Sequence, residues 1–90
     1  MRSRRLYFPG IYRLSKRWTE LYSVQIIGSG TFARIKCFDA TGDKKFEQIS
    51  AFTGSFWLSA ACEDGLFVEL FSEHEADCPI VVINWREVRK

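Results

Sequence analysis

The sequence has no long apolar run and no segment with the composition of a secretory leader. A membrane-spanning helix needs roughly 18 consecutive apolar residues, and no stretch of this chain approaches that length. The first residues are rich in arginine but lack a continuous apolar core before any cleavage site, so we expect no secretory signal. We therefore expect no membrane partner.

Paired cysteines are also missing. The chain has three cysteines, Cys37, Cys62 and Cys78, and none of them belongs to a CxxC motif. An odd number argues against a disulfide framework and favours a reducing compartment. Cys37 falls on the apolar side of an alternating segment, which predicts a small buried hydrophobic residue.

Few residues are suited to catalysis or metal binding. The single histidine lies in the acidic segment 73–78, together with Cys78. Zinc sites usually draw on spaced ligand pairs, and no second pair is present. Nothing around Cys62 or Cys78 matches a nucleophile motif, and a small domain has little room for a deep cleft. We expect a solvated acidic loop, no metal, no cofactor and no enzymatic activity.

The motif Gly28-Ser29-Gly30 invites two enzymatic interpretations. With Ala33 it fits a loosened dinucleotide fingerprint, and with Phe32 it resembles the phosphate loop of protein kinases. A dinucleotide site needs a helix after the glycines, but residues 31–38 alternate with the period of a strand. The other kinase motifs are absent, and 90 residues cannot supply a second lobe. We therefore expect a β-hairpin whose glycines supply positive φ angles.

What the chain does contain is a series of short alternating segments separated by turn residues. The segments are residues 21–27, 31–38, 45–50, 55–62, 66–71 and 79–86. Asp64-Gly65, between two of them, is a strong signal for a tight hairpin. Regular strands with no helical period predict an all-β fold, a small antiparallel β-sandwich of jelly-roll type with six to eight strands.

The charge is divided unevenly along the chain. Residues 1–20 carry six basic side chains and one carboxylate, whereas residues 21–90 carry seven basic and ten acidic ones, so the net charges are +5 and −3. This asymmetry predicts a basic N-terminal arm over residues 1–19, attached to a sandwich domain over residues 20–90, that docks on a negative partner. The expected partner-binding residues are Arg2, Arg4, Arg5, Tyr7, Phe8, Tyr12, Arg13, Lys16, Arg17 and Trp18.

Two segments, residues 66–71 and 80–85, carry apolar side chains on both faces. A strand of a two-layer sandwich should turn one face to water. The second face therefore needs a cover, which the arm or a neighbouring subunit could provide. We expect a homo-oligomer whose interface includes Phe67, Phe71 and Trp85.

Two motifs, Phe38-Asp39-Ala40-Thr41 and Asp64-Gly65-Leu66-Phe67-Val68, combine a turn with an adjacent strand. Their order along the chain resembles that in small β-sandwich proteins of tailed bacteriophages. In those proteins a strand–glycine–strand unit ends in a Tyr-Asp-x-Thr turn and is followed by an Asn-Gly-Leu-Tyr-Val strand and a final Val-x-Val strand. Here Phe38-Asp39-Ala40-Thr41 and Asp64-Gly65-Leu66-Phe67-Val68 occupy those places, and the resemblance covers residues 20–86. It implies a virion structural protein, such as a capsid decoration or tail-associated subunit, assembled in a bacterial cytoplasm.

Together these observations predict a non-enzymatic structural subunit that binds a viral capsid or tail lattice. The alternative is a small nucleic-acid-binding barrel that uses the basic arm and one face of a hairpin. On that hairpin Phe32, Arg34, Lys36 and Phe38 share a side, as the residues of a base-stacking platform would.

Overall fold

The computed structural model describes residues 1–50 and 52–88, and β-strands account for most of them. The strands are β1 (Arg2–Leu6), β2 (Gly10–Ser15), β3 (Thr19–Ile27), β4 (Ala33–Asp39), β5 (Lys44–Ser50), β6 (Gly54–Cys62), β7 (Leu66–Ser72) and β8 (Ile80–Glu87). A short 3₁₀ helix (Glu75–Asp77) precedes β8. In this part of the chain no helix is long and apolar enough to cross a membrane.

The strands form two four-stranded antiparallel sheets. The first sheet has the order β1-β8-β3-β6, and the second sheet has the order β2-β7-β4-β5. Four of the pairings, β1 with β8, β2 with β7, β3 with β6 and β4 with β5, are those of a chain folded back on itself as one long hairpin. Rolling that hairpin up places β3 beside β8 and β4 beside β7. An eight-stranded double sheet built in this way is a jelly roll. The predicted fold class is confirmed.

All six strands predicted from the alternating segments are present, with ends within two residues of those expected. The alternation has a simple physical origin, because successive side chains of a strand point to opposite faces and only one face enters the core. In β7, for example, Leu66, Val68 and Leu70 are buried, and the side chains between them face outward.

Residues 1–19 do not form an arm separate from the sandwich, and the predicted boundary at residue 19 is corrected. β1 is an edge strand of the first sheet, paired with β8, and β2 is an edge strand of the second sheet, paired with β7. Leu6, at the end of β1, is only 2% exposed and belongs to the core. The N-terminal segment is therefore part of the fold.

Two predicted hairpins are also corrected. Gly28-Ser29-Gly30 joins β3 to β4, and Asp64-Gly65 joins β6 to β7, but in both cases the strands lie in different sheets. The local conformation is as expected at Gly30 (φ +85°), Asp64 (φ +57°) and Gly65 (φ +142°), whereas the positive φ expected of Gly28 is not found. A turn signal describes the backbone at the turn, whereas strand pairing is decided by the neighbours that complete each sheet. Among the described strands the one hairpin between consecutive strands is β4–β5.

The core lies between the two sheets and is made of their inward side chains. Its buried apolar residues are Leu6, Leu21, Val24, Ile26, Ala33, Ile35, Cys37, Cys62, Leu66, Val68, Leu70, Val81, Ile83 and Trp85. Trp85 is 4% exposed, so its side chain cannot form the outward-facing oligomer contact predicted for it. The apolar side chains of β8 that face outward are instead Ile80 and Val82.

Side-chain contacts close both open sides of the sandwich. On one side the rings of Phe46 (β5) and Phe56 (β6) lie 5.2 Å apart at a tilt of 55°. On the other side the guanidinium of Arg4 (β1) lies 5.5 Å from the centre of the Tyr12 ring (β2). An aromatic side chain in each contact adds apolar area where a two-layer core is thinnest.

The burial of Leu6 gives a direct test of the corrected N-terminal boundary. Leu6→Ala should lower the free energy of unfolding by about 2–5 kcal/mol, because it removes a fully buried side chain and leaves a cavity. Phe8→Ala is the matched control, since Phe8 is 69% exposed and its loss should change stability by no more than about 0.5 kcal/mol. Urea denaturation measures both. Equal stability of the two variants would contradict the burial of Leu6 in the core.

Candidate functional site

A basic cleft lies at one end of the sandwich, where the start of β1, the end of β2 and the end of β8 meet. It has a volume of about 420 Å³ and is lined by Arg2, Arg13, Leu14, Ser15, Lys16, Arg17 and Glu87. We call this set the basic cleft. It brings together four of the ten residues predicted to bind a partner: Arg2, Arg13, Lys16 and Arg17.

The turn between β2 and β3 is held rigidly by two buried hydroxyl groups. The Thr19 hydroxyl lies 2.8 Å from both the Ser15 hydroxyl and the Arg17 carbonyl oxygen. The backbone N–H of Arg17 donates to Ser15 Oγ over 3.2 Å. Gly65 packs against the same turn, because a Cβ at this glycine would lie 2.6 Å from the Ser15 carbonyl oxygen. The backbone that presents Lys16 and Arg17 is therefore fixed.

The charges of the cleft are only partly balanced. Arg2 Nε lies 3.8 Å from Glu87 Oε1, at the long end of an ion pair. Arg13 is oriented by stacking, with its guanidinium 5.1 Å from the centre of the Phe67 ring. Within residues 1–50 and 52–88, Lys16 and Arg17 are exposed and form no ion pair. The cleft is a preformed positive surface with two cations free to meet an anion.

The other predicted partner-binding residues are dispersed. Arg4 and Tyr12 contact each other across the side of the sandwich, and Arg5 lies opposite Val82 on the first sheet. Tyr7 and Phe8 are exposed beyond the other end of β1. The carbonyl of half-buried Trp18 accepts a hydrogen bond from the Val88 N–H at 2.8 Å. The ten residues therefore do not form a single surface.

The outer face of the second sheet carries a column of stacked side chains. The rings of Phe38 and Phe67 are 5.4 Å apart and nearly parallel, at 9°. Arg13 covers the Phe67 ring, and the ammonium of Lys36 lies 5.5 Å from the centre of the Phe38 ring. We call these four residues the aromatic column. Phe67, predicted as an interface residue, is half-buried within it.

Beside the column lies a shallow apolar groove of about 270 Å³, lined by Phe32, Arg34, Ile49 and Phe71. Its three apolar side chains are each about half exposed. Phe71, also predicted as an interface residue, is here, whereas the contribution of Ile49 was not foreseen. The only signal for Ile49 in the sequence is its outward position in the alternation of β5.

One end of the second sheet is organised by the buried carboxylate of Asp39. Its Oδ1 accepts hydrogen bonds from the Thr41 hydroxyl at 2.6 Å, the Thr41 N–H at 2.9 Å and the Asp43 N–H at 3.0 Å. Its Oδ2 lies 3.4 Å from the Glu63 N–H and 3.7 Å from Lys45 Nζ. Burial acts to raise the pKa of the Asp39 carboxyl, but these hydrogen bonds together hold the pKa below its ordinary value.

This lowered pKa predicts acid sensitivity. A carboxyl group whose pKa is lower in the folded state stabilises the fold above its unfolded pKa, and that contribution is lost as the pH falls through the folded value. The free energy of unfolding should therefore fall below about pH 4, near the ordinary aspartate pKa. Asp39→Ala should cost about 1–3 kcal/mol at neutral pH, because the amide donors lose their acceptor.

Denaturation curves at neutral and acidic pH measure both effects. Asp39→Asn should show a smaller loss of stability on acidification than the unmodified protein. Glu73→Gln, at an exposed carboxylate, is the control and should keep the full loss. An acid dependence unchanged in Asp39→Asn would refute the role of this carboxylate.

The three cysteines are free thiols. Burial, with a smaller contribution from Cys62, raises the pKa of the Cys37 thiol to about 12. Burial also raises the pKa of the Cys62 thiol to about 11 and shifts that of Cys78 upward. The reactive form of a cysteine is the thiolate, so none of these thiols is prepared for nucleophilic attack. In the segment 73–78 the carboxylates and His74 are exposed.

These pKa shifts predict slow thiol chemistry. At pH 8 all three thiols of the folded protein should react with a disulfide reagent more slowly than free cysteine does, because little thiolate is present. Unfolding in guanidinium should make all three react at the rate of exposed thiols. Absorbance of the released thiolate follows the reaction, and Cys78→Ser isolates the two buried thiols. A fast-reacting thiol in the folded Cys78→Ser variant would contradict the prediction.

No protein-family model matches this sequence, and a comparison with curated proteins finds no significant relative.

Proposed function

We propose that the protein is a non-enzymatic structural subunit that binds an acidic surface of a larger protein assembly. The basic cleft is the observation that carries this proposal. It combines four cations with one carboxylate, and the hydroxyl groups of Ser15 and the neighbouring Thr19 hold the β2–β3 turn in place. Arg13 of the cleft also stacks on Phe67, and arginine and aromatic side chains are both enriched at protein interfaces.

The assembly we propose is a virion, and the protein would act as a capsid decoration or tail-associated subunit of a bacteriophage. Support comes from the jelly-roll order of the sheets, an architecture that viral capsid domains use, together with the resemblance in residues 20–86. Because one fold serves many functions, the jelly roll supports the virion role by analogy alone. The basic cleft supplies the binding site.

Nucleic-acid binding is the second candidate, and one observation favours it. Phe32, Arg34, Lys36 and Phe38 do lie on one outward face of the chain around β4, as the alternation predicted. The same face also weakens the idea. Phe38 is already stacked between Phe67 and Lys36, and Lys36 lies opposite the carboxylates Glu47 and Glu69. A base-stacking platform needs open rings and an excess of positive charge.

A charge-reversal experiment tests the proposal. In the double variant Lys16→Glu/Arg17→Glu, both exchanges fall on exposed residues of the cleft, so the fold should be retained. Cosedimentation with purified capsids and tails of candidate phages should show an affinity lower by roughly tenfold or more, which corresponds to at least about 1.4 kcal/mol. Arg34→Glu/Lys36→Glu is the matched control, since it changes the same charge on the second sheet.

Four outcomes decide between the candidates. Loss of binding only in the cleft variant supports the proposal. Equal binding by all variants, or no binding to any particle, would overturn it. Tight binding to single-stranded DNA that weakens steeply with salt and is lost in Arg34→Glu/Lys36→Glu would establish the nucleic-acid function instead.

A further inference from the structure

The edge strand β6 differs from the other three edges of the sandwich. It is nine residues long and contains no charged side chain. By contrast, β1 carries three arginines, β2 carries Arg13, and β5 carries Lys44, Lys45 and Glu47. Charged side chains on an edge strand prevent it from pairing with another strand, and their absence leaves the edge open to pairing. Among the described strands, β6 has a neighbour on one side only, β3.

The outward side chains of β6 follow a pattern of size. Ser55, Trp57, Ser59 and Ala61 face away from the core, so one very large side chain stands among three small ones. Trp57 is 76% exposed, an unusual position for an indole. Most of its apolar area is therefore left open to solvent by the described part of the chain.

We propose that β6 pairs with β6 of a second copy in an antiparallel, two-fold symmetric contact centred at Leu58. In that register Trp57 lies opposite Ser59 of the second copy, and Ser55 lies opposite Ala61. Side chains in such pairs are about 4.5–5.5 Å apart at Cβ, so each indole packs over a small residue of the other chain. The two first sheets then form one continuous eight-stranded sheet.

The partner that pairs with β6 is a second copy of the protein, because the side chains of β6 are complementary to those of another β6. A two-fold contact places the same patch of both copies together, so a net charge on the edge would be repelled by its own copy. β6 has none, and its large side chains, Phe56 and Trp57, precede Leu58, whereas small side chains follow it. On the inward side the same register places Phe56 opposite Ala60, which again pairs a large residue with a small one.

The contact leaves the basic cleft free. β1, which supplies Arg2 to the cleft, is the opposite edge of the first sheet from β6, with β8 and β3 between them. The dimer contact and the proposed lattice contact therefore use different edges, and each can be lost without the other.

A charge at the centre of the contact tests the proposal. The unmodified protein should be a dimer by light scattering at high concentration, and Trp57→Lys should be a monomer with an unchanged circular dichroism spectrum. Phe71→Lys is the matched control, because Phe71 is exposed on the outer face of the second sheet, and this variant should remain a dimer.

A crosslink tests the register. In Ser55→Cys/Ala61→Cys the two new thiols are six residues apart on one strand, about 20 Å, so they cannot form a disulfide within the chain. In the proposed dimer the thiol at position 55 of one copy faces the thiol at position 61 of the second copy. Mild oxidation should therefore give a covalent dimer. Each single variant should stay uncrosslinked. A monomeric unmodified protein, a dimer that survives Trp57→Lys, a dimer that Phe71→Lys dissolves, or failure of the double variant to crosslink would overturn the proposal.

Discussion

The jelly roll depends on the turn held by the Asp39 carboxylate. This group accepts hydrogen bonds from the backbone amides of the β4–β5 turn. It also accepts one from the Glu63 N–H in the connection between β6 and β7. The Ala40 N–H returns a hydrogen bond to the Glu63 carbonyl at 3.2 Å, which ties the same two segments together. Because β6 and β7 lie in different sheets, this small network joins the sheets as well as shaping the turn.

The sequence was informative where burial is one-sided. In β7 and β8 every second residue is apolar and buried, so period and boundaries could be predicted. β1 and β2 were missed because edge strands bury little. Only Leu6 in β1 is buried, and its arginines resemble those of a solvated arm. The choice between the two apolar faces of β8 was also beyond the sequence, since Trp85 and Val82 are equally hydrophobic candidates until the neighbouring strands are known.

The functional residues show the same limit. The charge asymmetry predicted an arm over residues 1–19, which is instead part of both sheets, and it could not tell which cations converge. Arg13 and Lys16 meet Arg2 only because β2 ends beside the start of β1, a consequence of the pairing of β1 with β8 and β2 with β7. Glu87 enters the cleft for the same reason. Such proximity is a property of the topology, and local patterns do not contain it.

The pairing scheme also has a kinetic consequence. Among the strands of residues 1–50 and 52–88, only β4 and β5 are neighbours both in sequence and within a sheet, so their contact closes the shortest loop and loses the least chain entropy. Once they have paired, β3 is already near β6, then β2 near β7, and finally β1 near β8. Each new pair forms next to a pair that already exists. The outer strands are far apart in sequence, but the earlier pairs have already brought them close together, so little further chain entropy is lost. We expect the roll to form like a zipper that starts at the Asp39 turn, with β1 the last strand to join and the first to leave.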